Sequence, residues 1–443
     1  MASFLLNTHY QSMRKKMILL GLNELNLDFI KYYCSKGLLP NFDIIIKNGY
    51  AETFSETEYH LLEPWIQWVT VYTGKTFSEH QVYRLGDIVE RPDLSQLFEE
   101  LEAENLTVGA VSPFNAANRL KNAAFFIPDP WTDTKVTGSP LIEKLSDAVK
   151  QLVNDNAQSK ISPSSVMALL QGMISFVPPN RYAHYLQLAM DVRKPGVRAM
   201  ILDNLLSDIF LKLWHEKKPD FSYMFLNAGA HIQHHYLYNS EAYQGNIKNP
   251  EWYCKKGYDP LLRVLKEYDL MIGKLLGFGQ HVLMATGLHQ APHNHLTYYW
   301  RLNNHAEFLK GIGIDKFSKV QPRMSRDFLI EFDREEDCLF AEQILSSFKM
   351  KGDEEPIFNA DNRGKSLFVE LVYPNEISPE MAIYNETHNI SSFKQIVTFV
   401  AIKNGEHHGM GYLLSNEALP KGSIPLTAVY KIIKEKVFSQ VAG

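Results

Sequence analysis

The sequence has few cysteines and no long apolar run. Its three cysteines, Cys34, Cys254 and Cys338, are widely spaced and form no CxxC pair. This pattern gives no disulfide framework and indicates reduced thiols, as in cytoplasmic proteins. No run approaches the roughly 20 apolar residues of a membrane span, and the first residues lack the basic and apolar segments of a signal peptide. We therefore expect a cytoplasmic protein without a membrane span.

The sequence also lacks a concentration of basic charge. It has 45 Lys and Arg against 50 Asp and Glu, a formal net charge of −5. Without a basic stripe the chain is not expected to bind nucleic acid. Hydrophobic residues make up 45% of its 443 residues, so the chain can bury a large core and form about two or three structural units.

Short apolar segments alternate with helical ones along much of the chain. Residues 17–22 form a wholly apolar run, which is typical of a buried parallel strand. Similar runs, each near a helical stretch, occupy residues 107–111, 221–226 and 281–285. This alternation predicts a doubly wound, mostly parallel α/β sheet, in which ligands bind beyond the carboxyl ends of the strands.

Two segments interrupt the alternation. Residues 136–199 are helical in character and predict a helical cap, and residues 318–389 have the β-α-β order of a small α+β insertion. The remaining ranges are predicted to form one core with a three-layer α/β/α architecture: residues 17–135, 200–317 and 390–440.

Polar residues that can bind a metal follow the predicted strands. Asn23 and Glu24 follow the first strand, and Asn227 is followed by three small residues and then His231. His289 follows the strand at 281–285, and His407 lies in a glycine-flanked segment near the end. Two alternatives remain open: Asn23 and Glu24 could simply cap the next helix, and His231 could be a hydrogen-bonded buried histidine.

These segments resemble, in order and local sequence, the metal-binding motifs of the alkaline phosphatase superfamily, and within it the phosphodiesterase/nucleotide pyrophosphatase branch. The segment from Leu61 to Lys75, followed by Glu79 and His80, resembles the nucleophile helix of that family, which ends in Thr-Gly-x-x-x-x-x-His. The resemblance implies an alkaline phosphatase-like fold and a hydrolase site with two metals.

The sequence departs from the family pattern at four positions. Asn23, Asn227 and Leu288 stand where the family has carboxylates, and Pro64, next to Glu63, stands where it has a Ser or Thr nucleophile. Loss of three negative charges makes binding of two divalent cations costly. We therefore expect one divalent metal, zinc or alternatively manganese.

The resemblance implies a role for each candidate residue. Asn227, His231 and His407 are predicted to bind the metal, with Asn23 and Glu24 as further ligands.

Catalytic roles are predicted for residues near the nucleophile helix and for His289, which follows the strand at 281–285. Glu63 is predicted to be the general base or an extra ligand, and His289 to supply a proton or a hydrogen bond. Thr57 is the candidate for a displaced nucleophile. Three residues are predicted to line the substrate pocket: Trp65, Gln67 and His293.

The function expected from these features is that of a divergent metal-dependent phosphoester or phosphodiester hydrolase, with water activated by the metal as the nucleophile. Its substrate would be a small molecule or a glycan phosphoester. Two alternatives stay open: a group transferase of glycan or lipid-head-group assembly on the same fold, and a non-catalytic protein with a decayed metal site.

Overall fold

The structure is a computed structural model that describes residues 15–154, 162–323 and 325–439. Described residues fall into two compact units. The first comprises those within 1–244, 254–292 and 405–443, and the second those within 245–253 and 293–404. The chain enters the second unit within one long strand, His289–Leu302, and leaves it within another, Val397–His408.

The strands are numbered in chain order. They are β1 Met17–Leu22, β2 Tyr50–Phe54, β3 Val108–Val111, β4 Phe125–Ile127, β5 Phe221–Leu226, β6 His281–Ala285, β7 His289–Leu302, β8 Phe317–Pro322, β9 Asp327–Phe332, β10 Lys349–Met350, β11 Phe358–Asn362, β12 Ser366–Leu371, β13 Ile383–Tyr384, β14 Asn389–Ile390, β15 Val397–His408, β16 Met410–Ser415 and β17 Gly422–Pro425.

The α-helices are numbered in the same way. They are α1 Leu27–Ser35, α2 Pro40–Lys47, α3 Pro64–Thr73, α4 Phe77–His80, α5 Leu97–Ala103, α6 Pro140–Asn154, α7 Pro163–Phe176, α8 Tyr182–Met190, α9 Val197–Lys217, α10 Ala228–Tyr236, α11 Pro260–Gly277, α12 His305–Gly311, α13 Glu335–Ser347 and α14 Ala428–Ser439.

The first unit is built on an eight-stranded sheet with the order β17-β2-β16-β6-β1-β5-β3-β4. The strands from β6 to β4 in this order are parallel, and β16 is antiparallel to both of its neighbours. In the register of the central pair, Leu22 lies opposite Leu226. The carboxyl ends of β1, β5 and β6 therefore meet at one edge of the sheet.

Helices cover both faces of this sheet. Side chains of β1 alternate between two cores: Ile18 and Leu20 pack into one, and Met17 and Leu19 into the other. The first core is completed by α1, α2, α9 and α11, and the second by α3, α5 and α14. The architecture is thus a three-layer α/β/α sandwich with a mostly parallel sheet, which confirms the predicted fold class.

Within residues 136–199 the described chain forms α6, α7, α8 and the start of α9, joined by turns and irregular segments. Helix α6 contributes Ile142 and Leu145 to the first core, and α8 contributes Tyr185. Helices α7 and α8 both pack against α9. Among the described residues, no helix is long and apolar enough to cross a lipid bilayer.

The second unit has its own core. Its four-stranded antiparallel sheet, in the order β11-β12-β9-β8, packs against α13. This unit contains the predicted 318–389 insertion but extends beyond it, because residues 293–317 and 390–404 also belong to it. The sequence-based bounds differ because β7 and β15 are continuous strands, and no turn signal marks the point where the chain leaves the core.

Candidate active site at the carboxyl ends of the central strands

An amide network occupies the centre of the strand-end edge. The side-chain amide of Asn23, just after β1, donates to Asn227 Oδ1, just after β5, at 2.8 Å. The same amide nitrogen donates to Glu24 Oε1 at 2.8 Å, and the indole of Trp68 donates to Asn23 Oδ1 at 2.9 Å. Both amide oxygens therefore already accept hydrogen bonds from the protein, and the network holds together without a cation.

A glycine in β1 makes room for this arrangement. A Cβ at Gly21 would lie 2.9 Å from the Trp68 ring and 2.6 Å from the hydroxyl of Tyr223. Real side chains do not approach so closely, so Gly21 is what lets the indole pass over the strand and reach Asn23.

Glu24 lies at the centre of a second, charged cluster. Its Oε2 is 3.0 Å from His234 Nε2 and 3.2 Å from His407 Nε2. The ligand atoms of these three residues all lie within 4.8 Å of one another. Glu24 is buried, whereas the side chains of His234 and His407 are partly open to solvent. The cluster is therefore accessible on its histidine side.

The charges in this cluster are mutually dependent. Burial alone would raise the pKa of Glu24, but His407 and His234 lower it well below its usual range. Burial alone would lower the pKa of His407, but Glu24 and Glu63 raise it instead. Glu24 is thus ionised at neutral pH, as a metal-binding carboxylate must be.

The backbone at Glu24 is fixed from three directions. Its φ of 58° lies in the left-handed region, which is unusual for a residue with a side chain. Its amide donates to Thr286 O at 3.0 Å, and its carbonyl accepts from Gln290 N at 3.0 Å and from the Gln233 side chain at 2.9 Å. These bonds hold Glu24 in a strained conformation that directs its carboxylate into the cluster.

Gln290 supports the cluster from behind. Its side-chain nitrogen donates to Glu24 Oε2 and lies 2.8 Å from His234 Nε2. A Cβ at Gly405 would collide with this glutamine side chain, so that position requires glycine. Gln290, on β7, therefore links this strand to Glu24, which follows β1, and to His234 on α10.

Helix α10 carries His234, and its N-terminus is capped by a residue of another helix. Its N-cap residue Asn227 makes no side-chain cap bond, because its amide belongs to the network with Asn23. Asp203, from α9, accepts from Ala228 N at 2.8 Å and from Asn227 N at 3.3 Å instead. This carboxylate is buried, which raises its pKa to about 6. Asp203 thus takes the capping role that Asn227 would otherwise have.

Glu63 lies beside the cluster at the start of α3. It is the N-cap residue of this helix, and Pro64 is its first helical residue, as the alignment with the family predicts. The carboxylate of Glu63 is 3.8 Å from His407 Nδ1 and about one-third exposed. Burial, together with the nearby charge of Glu24, raises the pKa of Glu63 to about 7, although His407 opposes this.

The structure leaves two of the predicted histidines outside the cluster. His231 is exposed, and its ring lies 5.0 Å from that of His235. His289 is buried, donates from Nδ1 to Met410 O at 2.6 Å, and has a lowered pKa because it is buried. His289 is therefore held as a neutral imidazole at the start of β7.

The remaining predicted residues lie in varied surroundings. Thr57 is exposed in the loop between β2 and α3. Gln67 is fully buried and donates to Leu61 O at 2.8 Å, so it does not line an open pocket. Trp65 is partly buried and donates to Tyr83 O at 3.0 Å. His293 belongs to the second unit, where its Nε2 lies 3.2 Å from Thr297 Oγ1.

Three residues of the site were not among the sequence-based candidates: His234, Gln290 and Trp68. A signal for His234 existed, since it follows His231 by one helical turn and so projects from the same side of α10. Gln290 directly follows His289 in the sequence, but no motif marks it. Trp68 could not be found without knowing that Gly21 leaves space for an indole.

The cluster suits a single divalent cation. One carboxylate and two imidazoles are the protein ligands of several catalytic zinc sites, which keep a further position open. His407 Nε2 is buried and faces Glu24 Oε2 at 3.2 Å. Of the residues predicted as ligands, Glu24 and His407 lie in this cluster. The third member is His234, which was not among them, and His231 lies outside the cluster. Asn23 and Asn227 lie outside this group and bond to each other.

Comparison with solved structures gives similarities at low identity. Phosphonoacetate hydrolase from Sinorhizobium meliloti 1021, in complex with phosphonoacetate, is 11% identical over 96% of both chains, with a TM-score of 0.47. Murine ectonucleotide pyrophosphatase/phosphodiesterase 5 is 9% identical over 96% of this chain and 95% of that one, with a TM-score of 0.40. TAB5 alkaline phosphatase with bound Mg is 12% identical over 97% and 99%, with a TM-score of 0.40. No curated protein shows a significant sequence match to the chain.

The family comparison is more specific. Residues 17–278 match the family described as type I phosphodiesterase / nucleotide pyrophosphatase. This range is more than half of the chain, and it includes β1 with Glu24, the start of α3 with Glu63, and α10 with His234. The match confirms the resemblance found in the sequence motifs, and the chain therefore belongs to the type I phosphodiesterase / nucleotide pyrophosphatase family.

Proposed function

We propose that the protein hydrolyses phosphoesters or phosphodiesters with a single divalent cation held by Glu24, His234 and His407. The observation that carries the proposal is the convergence of these three ligand atoms within 4.8 Å, at the strand-end edge where α/β sheets bind ligands. Membership of a phosphodiesterase family supports the substrate class. Zinc suits the two imidazoles and one carboxylate, and manganese is the alternative.

The chain's own residues divide the chemistry between them. A bound divalent cation would supply Lewis acidity to a phosphoryl oxygen and make a nearby water more acidic. Glu63 is placed to accept the proton of an attacking water, because it lies beside His407 and is open to solvent. With a pKa near 7, its carboxylate is a base of suitable strength for neutral pH.

A covalent route has no residue to support it at the first position of α3. Pro64 occupies the first helical position and carries no hydroxyl, so no phosphoryl group can be transferred to it. Thr57, the remaining candidate nucleophile, is exposed in the preceding loop. We therefore propose direct attack by water.

The experiment compares two variants of the metal-reconstituted protein on bis(p-nitrophenyl) phosphate and p-nitrophenyl phosphate. Glu63→Gln should lower kcat by about 10²–10⁴-fold, the usual contribution of a general base, with KM little changed. Thr57→Ala should retain activity. If Thr57→Ala abolishes turnover while Glu63→Gln does not, the covalent route is correct and the proposed role of Glu63 is wrong.

The non-catalytic alternative has one supporting observation. The ion pair between Glu24 and His407 satisfies both charges without a cation, as in a site that has lost its metal. Elemental analysis after dialysis against zinc or manganese distinguishes the two possibilities. About one ion per chain supports the hydrolase, and no retained ion supports the decayed site. Transfer rather than hydrolysis would give a phosphorylated alcohol when an acceptor alcohol is added to the assay.

A further inference from the structure

Helices α7 and α8 expose an apolar face that the core does not use. On α7 the buried residues are Ala168, Gly172 and Phe176, which lie on one side of the helix. The opposite side of α7 and the outer side of α8 carry seven exposed large apolar residues: Val166, Met167, Leu170, Ile174, Tyr182, Leu186 and Met190. We call these seven residues the outer apolar face.

The exposure on this face is large and regularly spaced. Ile174 is 74% exposed and Leu186 is 63% exposed, which are high values for aliphatic side chains. Residues four apart recur on both helices, so each presents a continuous apolar stripe to solvent. Groups of exposed apolar residues of this size mark interaction sites rather than ordinary surface.

The chain segment that carries the outer apolar face has an excess of basic residues. Neither α7 nor α8 contains an Asp, Glu, Lys or Arg residue. Between Ser162 and Leu202 the chain has four basic residues, Arg181, Arg193, Lys194 and Arg198, and a single acidic one, Asp191. This local excess of three positive charges (4 − 1) contrasts with the net charge of −5 for the whole chain.

The acidic residue is already neutralised. Asp191 pairs with Lys194 at 2.8 Å and with Arg263 at 2.8 Å. Arg193 and Arg198 are exposed and form no ion pair with any residue in the described ranges. Arg181 is tied to Asp208. Two exposed cationic side chains that follow α8 in the sequence are therefore available to an anionic partner.

We propose that the outer apolar face docks the protein on an anionic lipid membrane surface. Apolar side chains would enter the boundary between headgroups and acyl chains, as in interfacial helices, and Arg193 and Arg198 would bind anionic headgroups. A second copy of the chain fits less well, because a symmetric contact would bring two basic segments together. The proposal does not depend on the hydrolase site.

The experiment is flotation of the full-length protein with vesicles of phosphatidylcholine alone or with one-quarter phosphatidylglycerol, at 0.1 M salt. We expect binding to the anionic vesicles and much weaker binding to the neutral ones. Ile174→Gln with Leu186→Gln should weaken binding to anionic vesicles by at least about tenfold, because each change removes an aliphatic side chain that would enter the membrane. Arg193→Gln with Arg198→Gln should weaken it about 25-fold, at about fivefold per charge, with little change on neutral vesicles.

The matched control changes two equally apolar residues elsewhere. Leu339 and Phe340 on α13 are 50% and 51% exposed, and Leu339→Gln with Phe340→Gln should leave vesicle binding unchanged. All variants should keep the circular dichroism spectrum and the metal content of the parent, so loss of binding is separable from loss of the hydrolase site. Absence of vesicle binding by the parent, or equal binding by Ile174→Gln with Leu186→Gln, overturns the proposal. A dimer in light scattering that these two changes dissolve, without vesicle binding, would assign the face to self-association instead.

Discussion

The carboxylate of this site comes from the residue after the one that the family uses. Asn23 stands at the family position, and Glu24, one residue later, contacts His234 and His407. The left-handed backbone at Glu24 makes this possible, because it reverses the direction of the side chain relative to an extended continuation of β1. The backbone strain at Glu24 is thus linked to its placement in the ligand cluster.

His234 should be the histidine of α10 that binds the cation. His234→Ala should weaken zinc binding by at least about 100-fold, since even the loss of a supporting residue costs about 10–100-fold. His235→Ala is the matched control on the same helix and should bind zinc as the parent does. Isothermal titration calorimetry of metal-stripped protein measures both. If His231→Ala has the larger effect, the family ligand set applies and the cluster is only an ion pair.

Some residues near the cluster could be named from the sequence. Glu24 and Glu63 were candidates because strand ends and helix starts can be located from apolar runs and a proline. The motif spacing favoured His231 over His234, but which of the two faces Glu24 depends on the exact start of α10 relative to β5. The buried state of Gln67 also escaped prediction, since a polar residue on a helix does not reveal which face packs.

At the scale of elements, α10 depends on a residue from another helix. Asp203 on α9 accepts hydrogen bonds from the amides of Asn227 and Ala228, at the start of α10, and from the hydroxyl of Tyr268. The position of His234 relative to Glu24 therefore rests on the packing of α9 and α11 as well as on its own helix.

Asp203→Ala should destabilise the protein by about 1–2 kcal/mol, the usual loss for an N-cap side chain. It should also weaken zinc binding, because the N-terminus of α10, the helix that carries His234, loses the hydrogen bonds that hold it in place. Asp203→Asn keeps an acceptor oxygen and should recover most of both losses. Urea denaturation and calorimetry test this, and equal effects of the two variants would mean that the charge of Asp203 matters rather than its acceptor role.

The elements of the core were largely predictable, and those of the second unit were less so. Buried parallel strands such as β1 and β5 are mostly apolar and are followed by polar residues, which locates them well. The long strands β7 and β15 are mixed in polarity and cross from one unit to the other. Short-range periodicity therefore indicates their strand character without indicating the boundary.

At the scale of the whole molecule, buried neutral histidines set the acid limit of stability. His80, which closes the motif after α3, is fully buried, and burial together with Arg91 lowers its pKa to about 4. The unfolded chain, with a histidine pKa near 6.5, takes up this proton first as the pH falls. The contribution of neutral His80 to the free energy of unfolding is thus complete above about pH 6.5. It falls by about 3 kcal/mol as the pH drops toward 4.

His80→Asn should reduce this pH dependence. Asparagine can still accept the hydrogen bond that Val82 N donates to His80 Nδ1 at 3.0 Å, but it takes up no proton. The difference in unfolding free energy between pH 7.5 and pH 4.5 should therefore be smaller in the variant than in the parent. His60→Asn, at an exposed histidine, is the matched control. Equal pH dependence of the unfolding free energy in His80→Asn and the parent would contradict the assignment of this effect to His80.

The amide pair of Asn23 and Asn227 has a consequence for how the protein is made. Two facing carboxylates would repel each other until a cation arrived, so the last stage of folding would wait for metal supply. Two amides attract each other at once, through the bond between them. The newly synthesised chain can therefore complete its core in a metal-starved cell, because this amide pair needs no cation. Protein grown with chelator should accordingly melt within a few degrees of metal-replete protein, whereas Asn23→Asp with Asn227→Asp should melt much lower until cation is supplied.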